Sequence, residues 1–82
     1  MHWHHIVEQT GANAARFGPE ALHNGANLVR MDAAAHAKIS AYYSSKQAFT
    51  GGATVRDWLA KKSFKEQYEF GQRIMQQIMS AK

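Results

Sequence analysis

Residues 3–8 read Trp3-His4-His5-Ile6-Val7-Glu8. Trp, Ile and Val suit a pleated, half-buried surface, and Thr10-Gly11 just beyond is a turn signal, so the pattern predicts a short strand over Trp3 to Val7. Successive side chains on a strand point to opposite faces. His4 and His5 therefore diverge, and one imidazole can bind a metal while its neighbour faces another part of the same cleft. Five histidines in 82 residues is a high count, and this pair is the densest chemistry in the chain.

Downstream of that strand the chain is rich in His, Asn and Gly as far as about residue 31 and helical in pattern after it. Ala12 to Phe17 suits one or two helical turns. Gly18-Pro19 breaks them, and Pro19 fits the first position of another short helix through Leu22. His23-Asn24-Gly25 is turn chemistry. Asn27 to Met31 reads as a second strand. Asp32 is a good N-cap, because its carboxylate can accept from the free N–H groups of a first turn; Ala33-Ala34-Ala35 then favours a helix, placed over Ala33 to Lys46. Gly51-Gly52 is a loop. Thr54 caps a helix through about Lys62. Ser63 and Glu66 match a capping box for a last helix over Phe64 to Ser80. Its expected apolar stripe is Phe64, Tyr68, Gly71, Ile74, Met75, Ile78 and Met79.

Composition narrows the function classes. A chain this short buries only about 60% of the surface its unfolded form exposes, which excludes a two-domain enzyme or a barrel. With no cysteine, there is no disulfide framework, thiolate nucleophile or thiolate metal site. The chain is 45% hydrophobic and 20% charged, a globular balance rather than a disordered one. Ten Lys and Arg against six Asp and Glu give a net charge of +4, which favours a polyanion or an acidic protein as partner. No apolar run approaches the ~20 residues of a membrane span, and Met1-His2-Trp3-His4-His5 lacks the basic start and apolar core of a signal peptide.

The order Trp3-His4-His5-Ile6-Val7-Glu8, then Asn27-Leu28-Val29, then His36, resembles the HNH/endonuclease VII superfamily. The Trp-His-His opening is similar to its WHH-type members, which form C-terminal domains of bacterial polymorphic toxins of the Rhs and related kinds. The resemblance covers about residues 3 to 46. It implies an α+β fold with a ββα-metal (His-Me finger) core: a short two-stranded hairpin with a long connecting loop, then a helix. The chain would be one nuclease domain over residues 1–82, with the core in 1–46 and about three main helices, those in 47–82 bracing it. Where many HNH domains are braced by a structural zinc on Cys pairs, this chain must rely on helices.

The resemblance also assigns roles. His4 would be a metal ligand, and His5 the general base that takes a proton from the attacking water. Asn27 would hydrogen-bond the backbone near His5, and His36 would be the second ligand. Some relatives place a further His four residues after the helix ligand; Ser40 stands there. The metal would then be completed by waters and phosphate oxygens, or by His23 from the loop, which otherwise is a plain loop residue. One divalent ion is implied: two imidazoles suit Zn²⁺, Ni²⁺ or Mn²⁺, and a mostly water-ligated site admits Mg²⁺. Glu8 could orient a histidine as a supporting carboxylate or be a solvated strand end. Arg30, Lys38 and Lys46 are candidate phosphate contacts, Lys38 foremost because it shares the metal-bearing helix; Arg56, Lys61, Lys62 and Lys65 are further candidates.

The function implied is a metal-dependent, largely sequence-nonspecific DNA endonuclease. It would be the C-terminal part of a larger toxin chain, a secreted antibacterial effector delivered into the cytoplasm of a target bacterium. An acidic cognate immunity protein would block it in the producing cell. Two rivals share some of these features. A non-catalytic basic helical module binding nucleic acid or an acidic protein explains the charge but leaves the histidine order a coincidence. A housekeeping or phage HNH nuclease has the same chemistry.

Overall fold

In a computed structural model, which describes residues 2–80, the chain is α+β: one antiparallel hairpin and four helices. In order these are β1 (His2–His5), α1 (Gly11–Leu22), β2 (Leu28–Met31), α2 (Ala33–Tyr43), α3 (Val55–Leu59) and α4 (Phe64–Ser80). Among the described residues no helix is long and apolar enough to cross a membrane.

The strands pair as His2 with Met31, Trp3 with Arg30, His4 with Val29 and His5 with Leu28. The first strand is shorter than the expected Trp3 to Val7. Beyond His5 the backbone leaves the ladder: Ile6 N–H donates to the backbone carbonyl of Asn27 at 2.8 Å, and Val7 N–H donates to the Asn27 side chain at 2.7 Å. Asn27 correspondingly closes a short 3₁₀ turn, Gly25–Asn27, and the strand begins one residue later.

The connection between the strands corrects the expectation of a long loop. It is mostly α1, whose N-cap Thr10 accepts from Asn13 N–H. Gly18 breaks it into two pieces with φ 81°, a backbone conformation that glycine adopts freely, and Pro19 opens the second piece. That break falls where the sequence places it.

The later helices start where their caps predict. Asp32 accepts from Ala35 N–H at 2.7 Å and Thr54 from Asp57 N–H at 3.1 Å. Ser63 Oγ accepts from Glu66 N–H while Glu66 accepts from Ser63 N–H, a reciprocal box. Two of their ends differ from expectation: α2 stops at Tyr43 and not Lys46, because Ser44 caps it and Lys46 forms a β-bridge with Thr54. α3 stops at Leu59 and not near Lys62, while α4 ends at Ser80 as expected.

The core is Met31, Ile39, Tyr43, Val55, Leu59, Phe70 and Ile74, where α2, α3 and α4 close over the hairpin. The buried face of α4 is Gln67, Phe70, Gly71 and Ile74; Gly71 and Ile74 lie on the expected stripe, Met75 and Ile78 pack against the core, and Met79 is exposed. The burial of Gln67 has a polar cause. Gln67 makes a reciprocal pair with the buried Asn13 of α1, at 2.9 and 3.2 Å, so an amide occupies a position that periodicity would give to an apolar residue.

Candidate active site

The site is built where the hairpin meets the start of α2. His2 and His4 have the same parity on β1 and so share a face. His36, in the first turn of α2, lies against both: its ring is stacked on His2 at 5.3 Å between centroids and edge-on to His4 at 5.6 Å. His4 is buried, with 4% of its surface exposed, and its Nε2 is buried with no hydrogen-bond partner. Burial, reinforced by the nearby imidazoles of His36 and His5, lowers its pKa to about 4. At neutral pH the ring is therefore uncharged and able to offer a nitrogen lone pair.

His5 points the other way, as strand alternation demands, and is half-exposed. Its Nε2 lies 3.2 Å from Nδ1 of His23, whose ring is 5.2 Å away edge-on. Gln9 approaches the far nitrogen of His23 at 3.4 Å. Burial, then the neighbouring His23, lowers the His5 pKa. His4, His5 and His36 nevertheless border one cleft of about 270 Å³, together with Glu8, Gln9, Thr10 and Arg56. They converge because the chain turns away from the ladder immediately after His5.

Asn27 holds that turn. Its side chain is buried and fully used: Oδ1 accepts from Val7 N–H, and Nδ2 donates to the carbonyls of Val7 at 3.1 Å and Leu22 at 2.9 Å. One carboxamide thus ties the segment after His5 to the end of α1 and the start of β2.

Several expected roles find a different geometry. His23 stands with His5 and not with His4 and His36, because the turn after Leu22 sets it against the outer face of β1. Among the described residues, no three His, Asp or Glu side chains form a ready ligand set. Glu8 does not orient a histidine. Both its oxygens accept from Arg56, Oε1 from Nε at 2.8 Å and Oε2 from Nη2 at 2.9 Å, and Arg56 also reaches Ser44 Oγ at 2.9 Å. The Glu8 hydrogen bonds hold the Arg56 pKa above its ordinary value. Lys38 lines a separate cleft with Asp32 and Met79, since two residues along a helix turn it about 200° from His36. Arg30 lies over Trp3, and Lys46 is exposed beside Thr54. The cation that borders the histidine cleft is Arg56.

The sequence reading passed over His2, whose parity with His4 was the available signal. It gave Arg56 no special weight; its pairing with Glu8 spans 48 positions and carries no local pattern.

The donor set fits a divalent ion at His4 and His36. An unpaired polar atom in a buried place is costly, and here it is a neutral imidazole nitrogen facing a second imidazole. Two imidazole donors with room for oxygen ligands suit Zn²⁺, Ni²⁺ or Mn²⁺, and Mg²⁺ if oxygens predominate. Comparison of the chain with family models, with curated proteins and with solved structures finds no match.

Proposed function

We propose that this protein is a metal-dependent endonuclease of the ββα-metal kind, hydrolysing phosphodiester bonds in DNA. The observation that carries the reading is the buried, unpartnered Nε2 of His4 beside the His36 ring, with His5 on the rim of the same cleft. Asn27 gives independent support, because its carboxamide holds the backbone next to His5 from within the buried turn.

A divalent ion on His4 and His36 would neutralise phosphodiester charge and stabilise the departing oxygen. The remaining work belongs to the chain. His5, largely neutral at pH 7, accepts the proton of the attacking water. In the tautomer where His5 Nε2–H donates to His23 Nδ1, the free lone pair is on His5 Nδ1, so His23 both orients the base and selects the nitrogen that receives the proton. Asn27 keeps His5 from swinging out of the cleft. Arg56, with its charge shared by Glu8, leaves the cleft near neutral on that side.

As a toxin domain this nuclease would act inside a target bacterium as the C-terminal part of a larger secreted chain, and an acidic immunity protein would be drawn to the net-positive chain and block the cleft.

Purified protein incubated with plasmid and Mg²⁺, Mn²⁺, Ni²⁺ or Zn²⁺ is expected to cut it, and EDTA to stop the cutting. Plasmid intact under every metal overturns the reading. His5→Ala should lower the cleavage rate about 10²–10⁴-fold while metal still titrates by calorimetry. His4→Ala and His36→Ala should weaken that titration.

A further inference from the structure

The outer face of the hairpin carries a largely exposed indole, over which the Arg30 guanidinium lies. Trp3 is 60% exposed, although indole is among the side chains that gain most from burial. Its cross-strand partner is Arg30, whose guanidinium carbon lies 5.6 Å from the ring centroid. Phe49, also exposed, rests edge-on against Trp58; the aromatic and cation–π partner of Trp3 is a cation. Strand parity puts His5 on this same face, two residues along, at about 7 Å by strand rise.

We propose that Trp3, flanked by Arg30, stacks an unpaired nucleobase adjacent to the scissile phosphodiester, so that single-stranded DNA is the preferred substrate. The inference rests on the nuclease reading for its link to cleavage, but the stacking platform itself does not require it. An aromatic face offers its energy to any base with a free π-face, without reading sequence. In a duplex both faces of each base are already stacked on neighbours, and a side chain projecting from a strand reaches one only after the base has been unstacked. Arg30 supplies the matching charge: a guanidinium over the ring can meet a backbone phosphate or stack on the next base. The +4 net charge favours the same polyanion.

The test is binding in EDTA, where no metal-dependent cutting intervenes, by fluorescence anisotropy of a labelled mixed-sequence single strand and of a duplex of the same length. The wild-type protein is expected to bind the single strand more tightly. Trp3→Ala should weaken that binding roughly 5- to 150-fold, the range of a base–aromatic stack, and leave duplex binding within about two-fold; Trp3→Phe should recover part of the loss. Circular dichroism of the variants controls for folding. Equal affinity for both forms overturns the inference, as does unchanged single-strand binding by Trp3→Ala or no binding of either DNA. So does Trp3-dependent self-association in sedimentation without single-strand preference. The two readings fail separately. Cleavage without Trp3-dependent binding leaves the nuclease and removes the platform, and Trp3-dependent binding without cleavage under any metal does the reverse.

Discussion

Asn27 is the residue through which the most structure passes. Its Oδ1 and Nδ2 satisfy one buried N–H and two buried carbonyls. Asn27→Ala would leave these without partners at about 1–3 kcal/mol each. We expect a loss of about 3–5 kcal/mol in urea unfolding, a large share of the roughly 4–12 kcal/mol that a chain of this size commands. A loss below 1 kcal/mol would mean that water replaces the side chain freely and that the turn after His5 is not held there. The hydrogen bonding of Asn27 to the turn is what the resemblance implied, whereas the divergence of His4 and His5 follows from strand parity alone. The partner of His5 was not legible. His23 is 18 positions away, and its approach depends on where α1 ends, which no local pattern encodes.

At the scale of elements, α4 packs against the segment just after His5. Gly71 is buried, and a Cβ there would lie 2.7 Å from the backbone oxygen of Ile6, 2.9 Å from its Cγ2 and 3.2 Å from the Tyr43 hydroxyl. In an exposed helix, Gly→Ala gains about 1 kcal/mol; here the sign reverses. Gly71→Ala should cost about 1–3 kcal/mol, the usual range for overpacking. Because the displaced atoms adjoin His5, it should also slow plasmid cleavage more than the stability loss explains. An unchanged or raised Tm would contradict the contact. Helix starts were legible because Asp32, Thr54 and Ser63 act through hydrogen bonds to residues three along, which sequence records. The buried place of Gln67 on α4 was not legible, for the opposite reason. Gln67 is inside because Asn13 is there to meet it, 54 positions away, and a periodicity of apolar residues is blind to an amide pair. The connection between the strands was read correctly in pieces, helical turns on either side of Gly18-Pro19, yet the family pattern alone suggested a loop.

For the molecule as a whole, the buried histidine couples folding to pH. Unfolded, His4 binds a proton near 6.5; folded, it does so only near 4. Between those values the unfolded chain holds more protons, so stability falls as pH drops through that window and levels off below it. At about 1.4 kcal/mol per pH unit, His4 contributes a loss on the order of 3 kcal/mol, and the lowered His5 adds in the same direction. Urea melts in EDTA at pH 7, 5.5 and 4.5 should show a steady decline. A flat profile would place the His4 ring in water.

The Asn13–Gln67 amide pair spans the two halves of the chain, and so does Arg16, which donates to the carbonyls of Ala60 and Lys62. The histidine-bearing half therefore owes part of its interior to the half that carries no histidine. Severing the backbone at the exposed Gly51-Gly52 turn would yield two fragments carrying matching halves of one interior, a split pair expected to fold only when the two are brought together.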